Sequence, residues 1–193
     1  MNNRYKKLDD FGFALIELMI SIALFGILIT LIFSIFNTNM KIFSKINNKV
    51  EIQQQAIFIF NFMEEKIMES KGITIVEDIN GRTKHTTNEI VNIKKIIFKN
   101  NETRDEKGYI FNLIRDYGVG SYNLKYGIGL YGIGTIEVGN YIENIETEPI
   151  PSDKIYTEAD GIIIRINFIF EGEKAGVENR FFFRSSDRGY KIE

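Results

Sequence analysis

The chain has no cysteine, one histidine and only two prolines in 193 residues. Without cysteine there is no disulfide, no thiolate zinc site and no thiol nucleophile, so stability must come from packing alone. The histidine, His85, stands among Thr and Lys residues and is expected to be a solvated loop side chain. Alone it makes a poor metal centre, and it lies far in sequence from any suggestive serine. No catalytic constellation emerges, and the chain reads as a protein without enzymatic activity or cofactor. Both prolines fall late, at Pro149 and Pro151, so nothing in the first three quarters breaks a helix by that route. A surplus of positive charge is missing too: 24 Lys and Arg stand against 26 Asp and Glu. That balance offers no bulk field for nucleic acid. DNA is a conceivable partner that the charge does not support.

What the chain does have is one long apolar run. Residues 13–36 carry a single charge, Glu17. As a helix they would measure roughly 36 Å, enough to cross a hydrocarbon core of about 30 Å. Glu17 sits one turn inside the run, where a carboxylate costs free energy that falls off toward the end of a span. It therefore needs a reason. Glu17 lies four residues after Phe13, so the two share a helix face. If the chain were cut between Gly12 and Phe13, the new α-amino group would stand one turn from that carboxylate. The pair could neutralise itself, or the amine of one copy could meet Glu17 of a neighbour.

The stretch Gly12-Phe13-Ala14-Leu15-Ile16-Glu17-Leu18 resembles the type III signal of type IV prepilins and type II secretion pseudopilins. The family pattern is a short basic leader, a glycine, then Phe-Thr-Leu-Ile-Glu-Leu or a close variant; Ala14 stands where threonine is common. The resemblance implies cleavage after Gly12 and methylation of the Phe13 amine by a prepilin peptidase. A conventional secretory signal would have a shorter apolar core and an Ala-x-Ala-like site. A plain single-pass anchor would explain the length but neither Glu17 nor Gly12-Phe13. Residues 1–12 form the leader in this reading, with Arg4, Lys6 and Lys7 favouring the cytoplasmic side. The bulk of the chain is then expected outside the cell membrane, and at the cell surface once a filament forms.

Within the run, Ser21, Gly26, Thr30 and Ser34 either mark a close-packing face or are tolerated polarity. Past it, Ile42, Ile46, Val50, Ile57, Phe60, Met63 and Ile67 recur at spacings of three, four and seven, an amphipathic stripe. Gly72 reads as the stop signal. Residues 37–72 are therefore expected to extend the membrane helix (residues 13–36) on to a β-rich head of residues 73–193. Residues 73–95 read as a polar stretch.

Beyond it the period changes to two. Ile96-Ile97-Phe98, a polar loop over residues 100–108, and Tyr109-Ile110-Phe111-Asn112-Leu113-Ile114 read as a hairpin. Ile162, Ile164, Ile166, Phe168 and Phe170 form one apolar face, alternating with Ile163, Arg165, Asn167 and Ile169. A turn over Glu171-Gly172-Glu173-Lys174-Ala175-Gly176 leads to Phe181-Phe182-Phe183. The fold class is α+β: a long helix packed on an antiparallel sheet, the lollipop of pilins. The order of a strand at Tyr141-Ile142-Glu143-Asn144-Ile145, an acidic loop with Pro149 and Pro151, a strand from Gly161 and a closing Phe182-Phe183-Arg184-Ser185 resembles minor pilins of the W and J types. These include pseudopilin J and its counterpart in competence machinery.

Two other patterns carry less. Gly127-Ile128-Gly129-Leu130-Tyr131-Gly132 matches the dinucleotide fingerprint formally, but more glycines and β-branched residues follow where a helix must start. It reads as a glycine-rich strand or loop, where another subunit's backbone could approach. Asp153, Glu158 and Asp160 could offer oxygen to calcium, but the EF-hand spacing is missing and a solvated loop is the better reading. The resemblance implies a structural subunit priming or capping a type IV pilus-like filament, with prepilin peptidase, other minor and major pilins and membrane lipid as partners. The apparatus itself (pilus, type II secretion or DNA uptake) is open. The alternative is a membrane-tethered extracytoplasmic binding module for DNA or a surface ligand.

Overall fold

The computed structural model describes residues 3–100, 107–118, 120–129 and 131–184, with side chains from Phe13 onward. The loop residues 101–106, Leu130 and Ser185 lie outside the described residues. One helix, α1 (Asn3–Met68), is followed by seven strands: β1 (Ser70–Asp78), β2 (Val91–Asn100), β3 (Gly108–Arg115), β4 (Tyr122–Gly129), β5 (Ile136–Ile150), β6 (Gly161–Phe170) and β7 (Glu173–Phe182). The chain divides into two compact units, residues 1–47 and residues 48–193.

The first unit is helix alone. Every side chain described between Phe13 and Phe36 is exposed. The second unit is the α+β body: the last turns of α1 packed on an antiparallel sheet. Its strands lie in chain order, β1 to β7, each hydrogen-bonded to the next. One irregularity shapes the middle. The start of β2 pairs directly with β5, at Val91↔Thr147 and Asn92↔Glu146, whereas Lys95 to Lys99 pair with β3. The β3–β4 hairpin is thus wedged between β2 and β5 along only part of their length.

The expected strands are present. β2 and β3 form the hairpin read from Ile96 to Ile114. β6 buries Ile162, Ile164, Ile166 and Phe168 and leaves Ile163, Arg165, Asn167 and Ile169 half-buried, as period two demands. β6 and β7 pair without a register shift from Gly161↔Phe182 to Phe170↔Glu173. Their turn is only Glu171-Gly172, shorter than the six residues expected. Both residues have positive φ, 46° and 81°, the geometry that matches the twist of a two-residue hairpin.

Several expectations are corrected. α1 ends at Met68, and Gly72 lies inside β1 instead of stopping the helix. The polar stretch of residues 73–95 holds most of β1 and the start of β2. Pro149 belongs to β5, not to the loop after it. The helix stripe is rotated: Ile52, Ala56, Ile59, Phe60, Met63 and Ile67 are buried, while Ile42, Ile46, Val50 and Ile57 are exposed. Close approach selects this face. A Cβ at Gly139 of β5 would clash with the Ile59 side chain, so the glycine is what lets Ile59 sink against the sheet.

Two aromatic groups complete the core. Phe62 stands edge-on to Phe111 and Tyr126, with ring centroids 6.2 and 5.0 Å away. Tyr156, in the 3-10 turn Tyr156–Glu158 between β5 and β6, is fully buried. Its hydroxyl lies 2.5 Å from the Thr147 carbonyl, 3.1 Å from the Thr147 hydroxyl and 3.1 Å from the Glu89 carbonyl. It ties the loop before β2 to the loop after β5. Burial pushes its pKa up to about 12.

Candidate functional site

The residues marked for chemistry lie at the start of α1. Helix runs unbroken through Gly12 and Phe13. Phe13 and Glu17 are both exposed and one turn apart, about 6 Å along the axis. Among the described residues no cation or donor meets the Glu17 carboxylate. Its backbone carbonyl, by contrast, accepts the Ser21 hydroxyl at 2.8 Å. Thr30 donates to the Ile27 carbonyl at 2.7 Å and Thr38 to the Ser34 carbonyl at 2.9 Å. These hydroxyls are satisfied within their own helix, which accounts for their presence in an apolar run without a partner chain. Gly26 has open space around it.

The remaining candidates fall elsewhere. Asp153 and Glu158 are exposed, and Asp160 is paired with Lys154 at 2.9 Å. Among the described residues no three His, Asp or Glu side chains are grouped to hold a metal ion. His85 corrects its expectation: it is half-buried, its carbonyl accepts from Thr157 N–H at 3.3 Å, and among the described residues its enclosed Nδ1 has no hydrogen-bond partner. The first glycine of the formal fingerprint serves the chain's own backbone. A Cβ on Gly127 would stand 2.9 Å from the Gly134 Cα, and Gly134 N–H donates to the Asn112 side chain at 2.5 Å. The segment after β4 is folded back on β4, so the close neighbour of Gly127 is the chain itself.

One feature escaped sequence reading. An open groove of about 580 Å³ is lined by Lys94, Lys95, Arg115, Tyr117, Tyr122 and Ile133, among others. Lys95 is neutralised by Glu77 at 2.6 Å. Lys94 and Arg115 have no carboxylate partner among the described residues, and Arg115 lies over the Tyr117 ring at 5.8 Å. Its cations come from β2 and β3, so no local motif announces it. The only signal is the turn at Asp116, whose side chain accepts from Gly118 N–H at 2.9 Å.

The start of α1 also carries the recognisable signature. Residues 9–33 match the family model of the prokaryotic N-terminal methylation motif. With a long apolar helix and an antiparallel sheet beneath its last turns, that motif supports a type IV pilin-like protein. No curated protein and no solved structure matches the chain. α1 is long and apolar enough from Phe13 onward to cross a membrane, which supports membrane anchoring.

Proposed function

We propose that the chain is a minor pilin or pseudopilin, a structural subunit that primes or caps a type IV pilus-like filament. The carrying observation is the junction Gly12-Phe13 with Glu17 one turn on, inside the matched methylation motif. In this reading residues 1–12 are a leader, residues 13–36 the membrane span and residues 37–72 its extension, with residues 73–193 as an extracytoplasmic head. Prepilin peptidase cuts after Gly12 and methylates Phe13. Glu17 then sets registry by meeting a Phe13 amine, its own or a neighbour's, where an unpaired charge is costly. Mass spectrometry of the mature protein should find N-methyl-Phe13 at its start. Glu17→Leu should be cut normally yet fail to crosslink to partner pilins in membranes. An uncut leader in cells with active peptidase would end the assignment; wild-type crosslinking by Glu17→Leu would remove Glu17 from assembly.

A second reading rests on the groove. Lys94 and Arg115, without a carboxylate partner among the described residues, line the groove with Tyr117 and Tyr122 and suit phosphate and stacked bases, as a tethered binding module for DNA would require. Affinity for a single-stranded oligonucleotide that falls steeply with salt and is lost in Arg115→Ala would favour it.

A further inference from the structure

Contacts inside the α+β body mark the end at which the chain enters it from the apolar run. Asn48 is the first residue of the body, and its side chain donates to the Glu171 carboxylate at 3.1 Å. Glu171 and Gly118 line one cleft, so the residues just past β3 lie at this entry end. The course of β3 agrees. The Tyr109 hydroxyl donates to the Glu69 carboxylate at 2.8 Å, just past the end of α1, and Phe111 meets Phe62 edge-on. β3 therefore runs back along α1 toward Asn48, with Arg115 and Tyr117 further along the same course at about 3.3 Å per residue.

The entry end exposes an aromatic ring with cations beside it. Tyr117 is 90% exposed, and the Arg115 guanidinium lies 5.8 Å from its ring centre. Lys95 pairs with Asn112, which brings the neighbouring Lys94 to the same end of the sheet, in one groove with Arg115, Tyr117 and the exposed Ile133. The nearby carboxylates are engaged within the body: Asp116 accepts from Gly118 N–H and Glu171 from Asn48. Tyrosine with long cationic side chains beside it is the composition of a bilayer interface, where the apolar parts sink and the charges stay wet. The bilayer is also within reach. Only residues 37–47 separate the apolar run from the body, and even fully extended they span no more than roughly 40 Å. A tether of that length keeps the lipid surface at high effective concentration.

We infer that Tyr117, Arg115 and Lys94 seat the entry end of the body on the phospholipid headgroup layer. The Tyr117 ring enters among the headgroups, and the two cations make charge-assisted bonds to lipid phosphates. This rests on residues 13–36 being a membrane span and not on any filament role. A nucleic-acid strand offers the same phosphates, but the bilayer is favoured because the chain itself holds it near.

The chain has no tryptophan, so a single one can report. The full chain carrying Tyr117→Trp is reconstituted into vesicles of a phospholipid brominated near the top of its acyl chains, beside the same chain carrying Tyr131→Trp. Tyr131 is 83% exposed but lies at the opposite end, against Gly129, which pairs with Gly108 at the start of β3. Emission from Tyr117→Trp should lie to the blue of Tyr131→Trp and be quenched by the brominated lipid, whereas Tyr131→Trp should keep its emission. Adding Lys94→Ala with Arg115→Ala should abolish the quenching, and circular dichroism checks that these exposed changes leave the fold intact. Vesicle flotation separates two failures. A chain that floats with the vesicles without quenching at Tyr117→Trp overturns the inference and leaves the span standing; a chain that does not float removes the span, and the inference with it. Equal quenching of the two probes, or quenching indifferent to loss of the two cations, would also overturn it. Shielding of Tyr117→Trp by an added single-stranded oligonucleotide in place of lipid would give the surface to nucleic acid instead.

Discussion

The two stretches of α1 on either side of residue 47 are made of the same apolar residue types and behave in opposite ways. Before it, Phe, Leu, Ile and Met are exposed on every face; after it, Ile52, Ile59, Met63 and Ile67 are among the least exposed side chains in the molecule. Burying one such side chain is worth about 1.5–3 kcal/mol, and a whole domain is stable by only about 5–15 kcal/mol. The body gains its stability from a handful of these residues. The first stretch forgoes several times that amount in water, so it belongs in lipid or against other helices. A helix that is apolar all round and one that is apolar on one face are thus two answers to two solvents.

The contrast can be broken hardest inside the second stretch. In a fragment starting at Met40, which contains the whole core, Ile59→Asp should abolish cooperative melting, because an unpaired carboxylate would be buried. Ile57→Asp, two residues away on the exposed flank, should change stability by no more than ~0.5 kcal/mol. Similar melting of the two variants by circular dichroism would mean the buried face is wrongly identified.

A smaller effect is expected at Tyr156. Tyr156→Phe removes a buried hydroxyl whose one hydrogen lies between the Thr147 and Glu89 carbonyls and should cost about 1–3 kcal/mol. The same hydroxyl makes the body alkali-sensitive. The pKa of Tyr156 is raised to about 12 by burial, and that of Tyr109 to about 12 by burial and its 2.8 Å bond to Glu69. Between the ordinary tyrosine value near 10 and 12, the unfolded chain loses these protons first. Their contribution is therefore full below pH 10 and is lost as pH rises through 12. The pH dependence of melting should be shallower in Tyr156→Phe across that window, and an unchanged slope would show that its hydroxyl does not titrate there.

The smallest change lies on the outer face. Arg165 bridges Glu148 at 2.9 Å and Glu178 at 2.5 Å, and these carboxylates raise its pKa. The groups are partly exposed, so Arg165→Ala should cost only about 0.2–1 kcal/mol, and high salt should narrow the gap to wild type in the same melts.

Much of this was legible in the residues. The junction before Phe13, the apolar run and the alternation from Ile162 to Phe168 each lie in one continuous stretch with a single period, so local pattern suffices. The face of α1 did not. Ile42, Ile46, Val50 and Ile57 form as regular a stripe as the buried set, and period alone cannot tell which of two stripes meets a sheet. That choice is made eighty residues away, where Gly139 yields room to Ile59. β1 was missed because its register shifts scramble the alternation that marks a strand. His85 looked solvated because its neighbours in sequence are polar, whereas Thr157, which contacts its carbonyl, comes from beyond β5. The groove needed Lys94 and Arg115 from separate strands, and the wedged hairpin that sets them side by side has no signature in composition.

The hydroxyls of Ser21, Thr30 and Thr38 carry a mechanical consequence. Each returns its hydrogen to a carbonyl of its own helix, so the surface offered sideways has almost no directional bonds to make. In the filament subunit we propose, two such segments laid together would meet as smooth rods, free to turn or slide past one another at little cost until the carboxylate of Glu17 finds its counter-charge. Lateral mobility and a single stopping point would then come from one stretch of chain, the hydroxyls supplying the slip and Glu17 the catch.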